Sequence, residues 1–239
     1  MPGTGSTPSI SITITTSRGH VRGQWRPASV TRAAAILLPG AAGSHAESSH
    51  LFDELAVRIQ QTGASVFQME HYIGDFDERL ASLLSALAAL RRQGIERMAL
   101  IGWHSGGTAA IAAGSRCDAV TGVAALTPEA AAIDFVADVA PRRLLLMHGA
   151  ADHVVPAALS RMLYARAADP KELVIYPGER RDFSMYREEA LDKLSDWTRC
   201  LLRSPFKPCG AQRETTGGMG LLDAVAQVSD STLTAPSLR

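Results

Sequence analysis

The segment Gly102-Trp103-His104-Ser105-Gly106-Gly107 sets two proton-handling side chains next to each other between glycines. The spacing G-x-His-x-G suits a sharp strand-to-helix turn, in which small residues two places either side of the apex let the strand end and the helix start nearly touch. Gly102 and Gly106 flank His104 symmetrically, so His104 is expected at the apex. Centring Ser105 instead needs a one-residue shift and puts bulky Trp103 where a small residue belongs. An imidazole at the apex titrates near working pH and can take or give a proton. Histidine also tolerates a positive φ better than most non-glycine residues. Ser105 then reads as the first residue of the helix, its hydroxyl capping backbone donors.

Other titratable groups are spread along the chain. His45, His50 and His71 fall in loops, and Glu70 with His71 are the best-placed spare acid–base groups, His71 being a candidate replacement base. A lone loop histidine is, however, more often simply solvated. No Cys/His cluster has zinc spacing and no glycine-rich loop has the Walker or dinucleotide form, so neither a metal nor a cofactor is expected. Cys117, Cys200 and Cys209 are odd in number and read as free thiols in a reducing compartment.

Lysine plus arginine equals aspartate plus glutamate, 24 each. No net field is present to draw nucleic acid or an anionic membrane. Hydrophobic residues at 46% and charged residues at 20% describe an ordinary globular chain, and 239 residues fit one large domain. The start lacks a basic stretch followed by an apolar run, and the richest apolar segment, 81–90, is too short to span a bilayer. The expectation is a cytoplasmic protein with a small-molecule substrate or ligand, binding neither nucleic acid nor membrane.

The elements that must position His104 can be read from periodicity. Residues 10–15 alternate Ile with Ser and Thr, and 20–25 pair with them as an antiparallel hairpin. Continuous apolar runs at 33–38, 64–69, 97–101, 120–126, 143–147 and 172–176 read as parallel strands covered on both faces. Helical stripes lie between them: Leu51, Leu55 and Ile59, stopped by Gly63; Phe76 to Leu90, stopped by Gly94; the Ala-rich segment 105–113; a helix opened by Pro156; and one over 186–201. Strands alternating with helices after a hairpin predict an α/β fold with a doubly wound, mostly parallel sheet of about eight strands. Residues 1–203 form the expected single domain. From Ser204 the composition turns to Pro, Gly, Ser and Thr, and 204–239 is expected to be a flexible tail.

Four segments in order carry a family resemblance. They are Leu38-Pro39-Gly40-Ala41-Ala42-Gly43, the turn around His104, His148-Gly149-Ala150-Ala151-Asp152-His153-Val154-Val155-Pro156, and Tyr176-Pro177-Gly178-Glu179-Arg180-Arg181-Asp182-Phe183. Together they resemble the α/β-hydrolase superfamily, nearest its small, lidless dienelactone-hydrolase-like members. The resemblance implies that residues 102–107 are the nucleophile elbow and that Asp152 is the triad acid. It also implies that the backbone N–H groups of Ala41 and Ser105 form the oxyanion hole. The short connection 127–141, where such folds carry a lid, implies no sizeable lid.

The same resemblance exposes a substituted triad. His104 stands where the family has Ser or Cys, and Arg181 stands where it has histidine. Arginine stays protonated and cannot serve as base, and a serine without a base is a weak nucleophile. Asp152 and Arg181 are expected to form a carboxylate–guanidinium pair that leaves a fixed cation beside the elbow. His148 reads as a strand-end residue holding the acid loop, and His153 as pointing away from it. Two functions remain open. One is an enzyme on a small ester, lactone or other carbonyl compound with altered acid–base chemistry at His104, Asp152, Arg181 and Ser105. The other is a catalytically silent relative that binds a ligand or protein partner through the same pocket.

Overall fold

The computed structural model describes residues 9–16, 19–28, 32–40, 45–70 and 74–203, with the side chains of 45–49 outside that description. Ala41, His71, Cys209 and the proposed tail 204–239 lie outside the described residues. The strands are β1 (Ile10–Thr16), β2 (Gly19–Arg26), β3 (Ala33–Leu38), β4 (Ser65–Met69), β5 (Arg97–Trp103), β6 (Val120–Leu126), β7 (Arg143–Gly149) and β8 (Lys171–Tyr176). The helices are α1 (His45–Gln61), α2 (Phe76–Arg92), α3 (Ser105–Gly114), α4 (Ala157–Arg166) and α5 (Arg187–Arg203).

One eight-stranded sheet runs in the order β1-β2-β4-β3-β5-β6-β7-β8. β1 pairs β2 and β2 pairs β4 antiparallel, and every other pairing is parallel. This is the expected doubly wound arrangement. Its two cores follow from the period of two along a strand. Ala34, Ile36 and Leu38 of β3 join the core beneath α2 and α3, whereas Ala33, Ala35 and Leu37 join the core beneath α1 and α5. A run that must bury both sets has no polar alternation, which is why β3, β5 and β6 appear in the sequence as unbroken apolar stretches.

β8 departs from expectation. It lies at the sheet edge, and its first five residues are only half-buried. Its apolar run therefore does not mark a strand covered on both faces. α1 begins at His45, upstream of the apolar stripe that revealed it, because its first turns carry Ser and Glu instead of Leu. Gly63 and Gly94, at φ 92° and 89°, end the turns after α1 and α2.

The connection 127–141 holds two short 3-10 turns, Ala130–Asp134 and Val136–Val139, and forms no sizeable lid. Among the described residues no helix is long and apolar enough to cross a membrane.

Candidate active site

β5 delivers the chain to the elbow and α3 carries it away. His104, between them, adopts φ 53° and ψ −117°, while Ser105 is the first residue of α3. The apex is thus occupied by the histidine. Its backbone N–H donates to the Leu126 carbonyl at 2.8 Å, and its carbonyl accepts from the Thr108 N–H at 3.1 Å. The glycines are required by contact: a Cβ on Gly102 would run into the Gly106 carbonyl, and one on Gly106 would run into the Leu38 and Pro39 carbonyls. The elbow is therefore pressed against the end of β3, where the proposed oxyanion loop begins.

Ser105 is 3% exposed, and its hydroxyl is buried without a hydrogen-bond partner. The expected capping bond is not made. The helix therefore starts without a side-chain cap on its first backbone donors. Trp103 points to the opposite face of the sheet, packed edge-to-face on Phe52 and Phe183.

The His104 side chain is 15% exposed, and its Nδ1 lies 3.1 Å from Oε1 of Glu129, on the loop after β6. Burial pulls the imidazole below its ordinary pKa of 6.5; the Glu129 charge opposes this, Arg181 adds to it, Asp152 opposes it and Arg79 adds to it. The neutral imidazole, able to accept a proton, is thereby favoured at neutral pH. Glu129 escaped the sequence reading. The signal that would have found it is position alone: an acid three residues past β6, the strand beside β5, at the sheet's carboxyl end.

The acid loop after β7 is differently employed. Asp152 is buried, and its Oδ1 accepts the N–H groups of Val154 at 2.8 Å and Val155 at 3.0 Å. Its Oδ2 has no hydrogen-bond partner, so the expected Asp152–Arg181 fork is not formed. The His148 Nε2 lies 3.5 Å from that oxygen. That Nε2–H donates to the Val155 carbonyl at 2.8 Å, and Nδ1 accepts from the Ser160 hydroxyl at 2.7 Å. His148 is fully buried, and burial pushes its pKa down. It holds the loop, as its strand-end place implied, while His153 is exposed.

The loop that carries Arg181 is tied down by Glu179. This fully buried carboxylate accepts the N–H groups of Arg180 at 2.7 Å, Met185 at 2.8 Å and Tyr186 at 3.1 Å. Its carbonyl accepts the Ala151 N–H at 2.8 Å. A Cβ on Gly149 would collide with the Glu179 and Arg180 carbonyls, so the two loops abut along their backbones. The charge of Arg181 acts on the His104 ring.

Beside the elbow a cleft opens between Leu38, Pro39, Met69, Glu70, Arg79 and Gly106. Glu70 lines this cleft. His45 and His50, expected in loops, lie instead on α1, because the helix runs upstream of its apolar stripe; His50 is exposed, and its carbonyl accepts from Arg187 at 2.7 Å. Among the described residues no group of three or more His, Cys, Asp or Glu side chains is arranged to hold a metal ion.

Comparison with solved structures gives the same architecture. A dienelactone hydrolase from Anabaena variabilis superposes with a TM-score of 0.73 at 18% identity, over 83% of this chain and 100% of its own. A Xanthomonas campestris α/β serine hydrolase without lid gives 0.69 at 19% identity, over 83% and 97%. An esterase from Pyrococcus furiosus gives 0.72 at 16% identity, over 82% and 94%. The chain has the α/β-hydrolase fold, and its 127–141 connection, like the Xanthomonas protein, carries no sizeable lid. Among curated sequences it is similar to the uncharacterized protein YfhR of Escherichia coli K12, 46% identical over 66 residues. That match covers 25% of this chain and 23% of YfhR, so the chain spans less than a quarter of the curated relative it matches. No family model matches the sequence.

Proposed function

We propose that this protein acts on a small ester, lactone or related carbonyl compound, with His104 as the general acid–base group at the elbow. The observation that carries this reading is the apex itself. A half-shielded imidazole, held at φ 53° and biased toward its neutral form, stands at the N-terminus of α3. Backbone strain of this kind is retained only where the surroundings over-determine it, and it concentrates at functional sites. Water attacks the carbonyl carbon while His104 takes its proton. The oxyanion gathers on the N–H of Ser105, with the amide of Ala41 as the proposed second donor, and the proton then passes to the leaving oxygen. Arg181 contributes positive charge beside the reacting centre. Asp152 serves by fixing the loop next to it.

A second reading has its own support. Ser105 is sealed away, and Asp152 is engaged by backbone amides, so a silent, ligand-binding relative fits those residues. Turnover of an ester, lactone and thioester panel by the wild type and His104→Ala separates the two. An acid–base role predicts a loss of about 10²–10⁴-fold in the variant. A wild type that turns over nothing, with His104→Ala altering only ligand affinity, establishes the silent relative.

A further inference from the structure

We infer that Glu129 is the positioning carboxylate of the elbow histidine, so that the acid of this site comes from the loop after β6 and not from the loop after β7. The inference rests on the acid–base reading of His104 for its consequence in turnover, but its geometry stands alone. Glu129 Oε1 is 3.1 Å from His104 Nδ1, whereas Asp152 accepts the 154–155 amides with one oxygen and has no hydrogen bond on the other. A carboxylate at Nδ1 holds the proton there and leaves the lone pair on Nε2, the nitrogen free to work as base.

The contact is built into the backbone on both sides. Thr108, fully buried in α3, donates its hydroxyl to the His104 carbonyl at 3.3 Å and accepts the Glu129 N–H at 2.9 Å. One hydroxyl therefore ties the apex to the loop that presents the acid. At the start of that loop Thr127 is fully buried with φ 45°, its N–H donating to the Met147 carbonyl at 2.9 Å. A positive φ at a β-branched residue is a genuine outlier. Here it turns the chain sharply off β6, two residues before Glu129. The other charges facing the imidazole are Asp152 after β7, Arg181 after β8 and Arg79 on α2. Beside them Glu129 is in direct contact with the ring, its Oε1 3.1 Å from Nδ1.

The test is an NMR titration of the His104 ring, reading proton affinity and tautomer, in the wild type, Glu129→Ala, Asp152→Asn and Thr108→Val. The wild type should carry its neutral-state proton on Nδ1. Glu129→Ala should bind the ring proton roughly fivefold more weakly, the effect of one nearby unit charge in a water-like medium, and lose the Nδ1 preference. Asp152→Asn should change either quantity less, and Thr108→Val should weaken the tautomer preference without removing a charge. An unchanged titration and tautomer in Glu129→Ala, or a larger change in Asp152→Asn, overturns the assignment. Where a substrate is turned over, Glu129→Ala should lower kcat about tenfold or more with KM little changed; an unchanged kcat overturns the positioning role. A protein with no turnover at all removes the acid–base reading, while the NMR result still decides the partner of His104.

Discussion

His104 and Ser105 are neighbours in sequence, yet the turn gives them opposite fates. The histidine stands at the apex, and the serine hydroxyl is enclosed with no imidazole against it. A serine-directed fluorophosphonate probe should accordingly leave the protein unlabelled, because labelling needs an accessible serine activated by a base. Stoichiometric modification of Ser105, located by peptide mass spectrometry, would contradict that geometry. The buried histidines also set a pH dependence of stability. Burial holds both His148 and His104 below 6.5, so above that pH folded and unfolded chains alike carry neutral rings. As pH falls past 6.5 the unfolded chain takes up protons first, and stability declines by at most about 1.4 kcal/mol per pH unit for each ring until the folded groups titrate. Denaturant unfolding between pH 7.5 and 5.5 should show this decline, and His148→Gln should flatten it; an equal slope in the variant would show that His148 is not its source. The apex histidine was legible because two glycines bracket it. Glu129 was not, because its reach to His104 depends on the φ of Thr127 and on a threonine hydroxyl one helical turn into α3, neither of which leaves a mark in residue order.

Strands and helices were the most readable part of the chain, for a physical reason. Strands buried on both faces must be largely apolar, and β3, β5, β6 and β7 are, with Thr121 and His148 the buried polar residues among them. β8 shares the composition without the environment, since an edge position is decided by which strands pair and not by local pattern. The joints between elements are where single atoms decide the outcome. Gly102→Ala and Gly106→Ala each drive a methyl group into backbone carbonyls that have no room to retreat, one within the elbow and the other toward the end of β3. Each should cost about 1–3 kcal/mol or more in a denaturant melt, and Gly94→Ala, with open space around its missing Cβ but a positive φ, should cost less than either. Costs in the opposite order would show that the elbow is looser than its contacts require. The expected ion pair between the β7 and β8 loops fails for a related reason: Glu179 and Gly149 bind the two loops through main chain, and no side-chain bridge is needed. Asp152→Asn and Arg181→Met should therefore combine with a coupling of no more than about 0.5 kcal/mol in a double-mutant cycle. A coupling of several kcal/mol would restore the pair.

Taken together, the sheet brings loops from β5, β6, β7 and β8 to one end, where the His104 imidazole is contacted by Glu129 and feels the charge of Arg181, Asp152 and Arg79. That convergence is a property of the fold and survives replacement of the residues it serves. One trace of the usual constellation persists in Asp152, whose Oδ2 is buried and unbonded although an orphaned buried acceptor carries a desolvation penalty. An imidazole N–H is the group such an oxygen suits, and the adjoining loop holds Arg181 at the position where the resemblance calls for histidine. His104→Ser with Arg181→His should then supply a nucleophile at the apex, a base on the β8 loop and a hydrogen bond for Asp152 Oδ2. If the main-chain donors at the start of α3 are in hydrolase geometry, the double variant gains burst-phase hydrolysis of an activated ester and becomes reactive toward fluorophosphonate at position 104. Each single variant should gain neither, because a serine without a base and a base without a nucleophile are both inert. A folded double variant that acquires no labelling and no hydrolysis would mean that the 180–183 loop holds its side chain too far from the elbow, and that the site has diverged in backbone as well as in residue identity.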